Sequence, residues 1–91
     1  MTEDFPSHLQ LSLLSIVESI ALSPKQVAYA YFTARGRKIP IITVYKAFER
    51  METRELIFKQ RSQTDHRGMI YVITQKGVTV LKDARQHYTT V

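Results

Sequence analysis

Apolar residues recur along this chain at spacings that change from helical to alternating and back to helical. From Ile41 to Arg54, Val44, Phe48 and Met51 fall within a narrow arc at roughly 100° per residue, with Ile41 and Ala47 at its margins. That pattern predicts an amphipathic helix whose other side carries Thr43, Lys46, Glu49, Arg50 and Thr53. Upstream, Leu9, Leu13, Ile16, Val17 and Ile20 recur at three- and four-residue spacing and predict a first helix from about Ser7, a good N-cap, to Ile20. Leu11 and Leu14 lie off that face. One small domain needs a single apolar face on its first helix, so this pair points either to a partner subunit or to cover by the chain's own C-terminal segment. Ser12, Ser15 and Ser19 line a third side, as part of a close helix contact or as plain surface.

A second helix starts at Ser23-Pro24, where a serine oxygen caps free amides and proline at the first helical position loses no hydrogen bond. It runs to about Ala34 with Val27, Ala28, Tyr31 and Phe32 inward and Tyr29 outward, and Gly36 supplies the left-handed residue that ends it. The short basic connection from Arg35 to Pro40 cannot continue as helix through the proline. After Arg54, Leu56-Ile57-Phe58 starts a strand, and Met69 to Ile73 is rich enough in β-branched and aromatic residues to be its partner. Ser62 to Gly68 reads as the hairpin tip. Thr74 then caps a last helix, about Gln75 to Tyr88, with Val78, Leu81 and Tyr88 on one stripe and Val80 and Ala84 on the next. Three helices, a two-stranded hairpin and a C-terminal helix make an α+β, mostly helical chain in the winged helix-turn-helix order. Residues 1–91 are read as one such domain.

Composition narrows what such a chain does. With 44% apolar and 23% charged residues among 91, it is an ordinary globular sequence with one core. It holds no apolar run near the ~20 residues that cross a bilayer. It opens on Glu3 and Asp4 rather than a signal peptide, which points to the cytoplasm. The absence of cysteine excludes disulfides and thiolate chemistry. The formal net charge of +5 is concentrated. Arg35, Arg37, Lys38, Lys46, Arg50, Arg54, Lys59, Arg61 and Arg67 are set against Glu49, Glu52, Glu55 and Asp65 alone, so the whole excess falls between residues 35 and 67. A helix flanked by cationic loops is the footprint of a reader of double-stranded DNA.

Two stretches sharpen this order into a resemblance. Thr43-Val44-Tyr45-Lys46-Ala47-Phe48-Glu49-Arg50-Met51-Glu52, followed by Glu55-Leu56-Ile57, resembles the PadR-like pattern Thr-Leu-Tyr-x-Ala-Leu-x-Arg-Leu-Glu followed by Gly-Leu-Ile. Arg67-Gly68-Met69-Ile70-Tyr71-Val72-Ile73-Thr74-Gln75-Lys76-Gly77 resembles that family's wing, which ends in Tyr-x-Leu-Thr-x-x-Gly. The broader class that includes MarR-like proteins shares the second motif. The resemblance implies a DNA-binding transcriptional regulator, and the short C-terminus favours a minimal repressor without a small-molecule effector. Glu55 stands where the family has glycine, which implies a different backbone conformation at the exit of the third helix.

Site residues follow from both lines of reasoning. Thr43, Lys46, Glu49 and Arg50 are expected at base edges, with Ile42 and Tyr45 at the flanks. Arg50 is the candidate for bidentate guanine contact. Tyr45 offers its hydroxyl to phosphate or packs the helix against the first helix. Arg35, Arg37 and Lys38 are expected on phosphates beside the groove, and Arg61, His66 and Arg67 on the backbone or minor groove under the wing. A homodimer would present two such helices, with Leu11, Leu14, Val80, Leu81, Ala84 and Tyr88 as its expected contact. No enzyme, cofactor or metal is expected: His8, His66 and His87 are scattered, and no carboxylate pair or nucleophile–base order stands out. A winged-helix protein-interaction module, docking its basic face on an acidic partner, shares all these features and stays open as the alternative.

Overall fold

The computed structural model describes residues 7–61 and 68–87. Its elements are α1 (His8–Ser19), α2 (Pro24–Arg35), α3 (Ile41–Thr53), β1 (Ile57–Arg61), β2 (Met69–Ile73) and α4 (Gln75–His87). The two strands pair antiparallel, with Ile57 opposite Ile73, Lys59 opposite Tyr71 and Arg61 opposite Met69. This is the winged helix-turn-helix arrangement. Residues 62–67, the expected hairpin tip with His66 and Arg67, lie outside the described residues, as does Tyr88.

Helix α1 sits in the middle of the fold and packs against α2, α3, α4 and β2. It is capped by Ser7, whose side chain accepts from the Gln10 amide at 3.2 Å. Leu11, Leu13 and Leu14 are fully buried and Val17 nearly so. Each contributes about 1.5–3 kcal/mol of burial free energy. Of the two expectations for Leu11 and Leu14, a partner subunit or cover by the chain itself, the structure bears out the second, with α4 packed on α1. Leu11 and Leu14 are not left over for a partner, because a helix enclosed on several sides needs apolar surface on several sides. Leu81 and Ala84 are likewise fully buried in the chain's own core, so the α4 side of the expected dimer contact is mostly internal. Val80 is half-buried against that core. Ile20, expected inward, is 60% exposed, since it follows the last helical turn in extended backbone. Two of the α1 serines take guanidinium groups: Ser12 from Arg35 at 3.2 Å and Ser15 from Arg85 at 3.0 Å. Arg85 also pairs with Glu18 at 2.9 Å, tying α4 to α1.

Helix α2 begins with a complete capping box, in which Ser23 accepts from the Gln26 amide and Gln26 accepts from the Ser23 amide. It ends on Gly36 at φ 70, whose N–H donates to the Phe32 carbonyl at 2.7 Å. Val27 and Tyr31 are buried. Phe32 is not inward as expected but exposed, because it lies about 100° around the helix from Tyr31. Just ahead of α2, Leu22 forms an isolated bridge with Tyr71, accepting its N–H at 2.9 Å. This one-residue third strand ties the start of α2 to the hairpin and has no signature in the sequence.

The exit of α3 is the tightest part of the fold. Arg54 ends the helix and Glu55 takes φ 64, the left-handed conformation that a glycine would take there without strain. The expectation of a different conformation at Glu55 is therefore overturned: the backbone path is kept and the side chain bears its cost. Leu56, expected to start β1, is instead a buried corner residue, and the strand starts at Ile57. Its N–H donates to Met51 at 2.9 Å and its carbonyl accepts the Thr74 N–H at 3.0 Å. The Thr74 hydroxyl donates to the Glu55 carbonyl at 2.7 Å and accepts the Gly77 N–H at 2.9 Å. A Cβ on Gly77 would collide with the Leu56 carbonyl oxygen and stand 2.8 Å from Ile73 Cγ1.

Gly77→Ala should therefore destabilise the fold by about 1–3 kcal/mol, the cost of overpacking against backbone. Glu55→Gly should stabilise it by a few tenths to about 1 kcal/mol, because relief of the left-handed strain exceeds the added freedom of the unfolded chain. Denaturant midpoints at constant slope measure both, and a destabilised Glu55→Gly would refute the strain argument.

Candidate nucleic-acid interface

Helix α3 is held by Val44, Phe48 and Met51, all fully buried, and by Ala47 at 6% exposure. Phe48 adds a tilted ring contact to Tyr71 of β2, with centroids 4.4 Å apart. With that side fixed, Lys46, Glu49 and Arg50 project outward as expected, and Thr43 is half-buried. The start of α3 has no side-chain cap; the Pro40 carbonyl accepts the Thr43 and Val44 amides at 2.9 and 3.3 Å.

Two clefts flank this ridge. On the α1 side, Thr43, Lys46 and Arg50 meet Ser7, Leu9 and Gln10 around about 180 Å³. Gln10 is buried there, and its Oε1 has no hydrogen-bond partner among the described residues. On the hairpin side, Ile42, Tyr45, Glu49, Glu52, Lys59 and Tyr71 enclose about 330 Å³. Tyr45, 46% exposed, lines this second cleft, so packing against α1 is not its role. Lys59 reaches Glu52 at 3.9 Å across the same cleft. Both ends of that pair are well exposed, so it adds at most about 1 kcal/mol to the angle between helix and hairpin.

The cationic set is partly as expected. Arg37 and Lys38 are exposed in the turn before α3, and Arg61 is exposed at the end of β1. Arg35 is exposed as well, but at the end of α2 rather than in the loop. It is the last residue of α2, its guanidinium donates to Ser12, and it sits 5.9 Å from the centroid of the Tyr31 ring. It fastens α2 to α1. Two residues acquire a place that the pattern alone did not give them. Lys25, on the first turn of α2, borders a cleft with Tyr45, Lys59, Met69 and Tyr71. The Leu22–Tyr71 bridge brings it there, from far away in sequence. Ile42, expected at a flank, is 58% exposed in the first turn of α3.

Among the described residues no three histidine, aspartate or glutamate side chains gather as metal ligands, and no helix is long and apolar enough to cross a membrane.

No family model matches the chain, and no curated protein matches its sequence. Solved structures do resemble it. ZitR from Lactococcus lactis superposes with a TM-score of 0.78 at 22% identity, over 96% of this chain and 56% of that one. The transcriptional regulator BldR from Sulfolobus solfataricus gives 0.80 at 26% identity, over 93% of this chain and 56% of that one. The putative transcriptional regulator TA0346 from Thermoplasma acidophilum gives 0.77 at 18% identity, over 87% and 78%. The chain thus spans little more than half the length of the first two, and its fold is theirs.

Beneath the hairpin-side cleft, Tyr71 is buried, and its hydroxyl is held above the ordinary value of 10.0. Desolvation is the main cause, followed by the negative charge of Glu52, the neighbouring Tyr45 and Glu49. The folded state thus favours the neutral phenol, and the sign of the linkage follows: stability is unaffected by this group below pH 10 and falls as pH rises from there, where the unfolded chain ionises first. Tyr71→Phe should flatten that alkaline decline in a series of denaturant unfolding curves. An equal decline in the variant would assign it to other groups.

Proposed function

We propose that this chain is a sequence-specific double-stranded DNA-binding transcriptional regulator, a repressor that acts as a homodimer in the cytoplasm, with residues 1–91 forming its DNA-binding domain. The observation that carries the reading is the division of α3: one side is fully buried, while Lys46 and Arg50 stand exposed between a basic turn and a basic strand. Of the similar structures, BldR is described as a transcriptional regulator and TA0346 as a putative one, which supports it. The narrower kinship with PadR-like regulators rests on the two sequence stretches and belongs to the same proposal.

In this reading α3 enters the major groove. Arg50 donates two hydrogen bonds to guanine O6 and N7, Lys46 serves a base or a phosphate, and Glu49 accepts from a cytosine amino group. Thr43 contacts the adjacent base edge, and the Tyr45 hydroxyl meets a phosphate. Arg37, Lys38 and Arg61 neutralise the backbone, with His66 and Arg67 as the wing's further contacts. One recognition helix offers few contacts, so a palindrome with half-sites about 34–36 Å apart and two protomers gives the specificity a regulator needs. Pairing then uses a surface other than Leu11, Leu14, Leu81 and Ala84, which are committed to the core.

A second reading, docking on another protein without DNA, is favoured by one feature. An apolar cleft of about 510 Å³ lies between α2 and the turn, lined by Ala28, Tyr29, Phe32, Lys38, Ile39 and Pro40.

Arg50→Ala should lose roughly 1–3 kcal/mol of preference for a selected site over random duplex. Lys38→Ala should weaken all duplexes alike and lower the slope of log affinity against log salt by about one. Titrations of both variants at several salt concentrations test this. If neither change alters binding to any duplex, the protein-docking reading replaces the regulator.

A further inference from the structure

The exposed side of α3 is not uniformly polar. At about 100° per residue, Ile42 shares an arc of roughly 60° with Lys46, Glu49 and Thr53, opposite the arc of Val44, Ala47, Phe48 and Met51. It is therefore central to the outward face, and at 58% exposure it differs from Ile41, which lies at the core margin and is 39% exposed. Isoleucine is a poorer helix former than lysine or alanine, so the position gains nothing from it in helix stability. More than half of it is exposed, and it lines the hairpin-side cleft beside Tyr45, Lys46 and Glu49 of its own helix, with Lys59 and Tyr71 on the hairpin.

Its chemistry restricts what it can recognise. Isoleucine has no donor or acceptor, so it cannot hold a phosphate, the N7 and O6 of guanine or the amino group of adenine. The apolar group that a base edge presents in the major groove is the methyl on C5 of a pyrimidine. Resting on the reading of α3 as a DNA-recognition helix, we propose that Ile42 is a specificity-determining residue that reads such a methyl group. It lies in the first turn, the part of a recognition helix that approaches base edges. Four residues at about 1.5 Å each separate it from Lys46. That distance is about two steps of a 3.4 Å base stack, so the methyl belongs to a base within two base pairs of the one that Lys46 meets. Thymine carries this group, and so does 5-methylcytosine.

The test uses the full chain and a duplex selected from a random pool. Each thymine is replaced in turn by deoxyuridine, which removes the methyl and leaves every hydrogen bond in place. The wild-type chain should lose about fourfold in affinity at one position per half-site, the order expected for one buried methyl group. Ile42→Ala should bind the thymine and uridine duplexes alike, with a helical circular dichroism spectrum and a salt dependence like those of the wild type. If the selected pyrimidine at that position is cytosine, 5-methylcytosine should raise wild-type affinity by a similar factor and leave the variant unmoved. Indifference of the wild type to every methyl, or full sensitivity retained in Ile42→Ala, would overturn the assignment. A chain that selects no duplex at all would instead remove the regulator reading, and this inference with it.

Discussion

The close approach of Gly77 to the Leu56 carbonyl is the constraint on which the rest of the molecule depends. Three elements meet there: the end of α3, the start of β1 and the first turn of α4. A chain that reverses direction within Arg54, Glu55 and Leu56 leaves carbonyls without helical partners. Thr74 answers two of them, with its N–H on Leu56 and its hydroxyl on Glu55, while the same oxygen caps Gly77. One side chain therefore sets both the departure of the hairpin from α3 and the seating of α4. The Lys59–Glu52 pair spans the same angle but is too exposed to hold it alone.

From that corner the functional surface follows by packing. Phe48 rests on Tyr71, Met51 and Val44 are sealed, and the remaining sector of α3 has nowhere to point but outward. The charge distribution then completes the picture. From Ser19 to Phe48 the chain contains no acidic residue, while Lys25, Arg35, Arg37, Lys38 and Lys46 fall within that stretch. A field of one sign beside a convex helix attracts a polyanion over about one Debye length, roughly 8–10 Å in ordinary salt. In the proposed reading, short-range contacts from Arg50, Glu49 and Ile42 then decide the sequence.

Features governed by local chemistry were legible in the chain itself. Ser7, Ser23-Pro24, Gly36 and Thr74 announce helix ends because capping acts within a few residues, and all four occupy those positions in the structure. The span of β2 was equally plain from its β-branched and aromatic residues, and the buried arc of α3 from periodicity. What escaped was non-local. Periodicity says that α1 has two apolar sides but not what covers the second, so it leaves Leu11 and Leu14 open between a partner subunit and the chain's own C-terminal segment. Arg35 reads as a loop cation until Ser12 and Tyr31 are placed beside it. Lys25 joins the hairpin through a single backbone bridge at Leu22. Glu55 shows the limit of residue preference: the helix-end bonds to Met51 and Glu52 and the tertiary bonds from Thr74 outweigh a left-handed penalty of about 1–2 kcal/mol.

The central claim, that the outward face of α3 lies in the major groove of a duplex, is open to a direct chemical measurement because the chain has no cysteine of its own. A DNA-cleaving iron chelate can be tethered through Thr53→Cys, on that face, and separately through Gln86→Cys, exposed on α4. On a selected duplex, the α3 tether should cut a few base pairs in each half-site and the α4 tether should leave those positions intact. Cleavage from α4 alone, or the same diffuse pattern from both, would contradict the account.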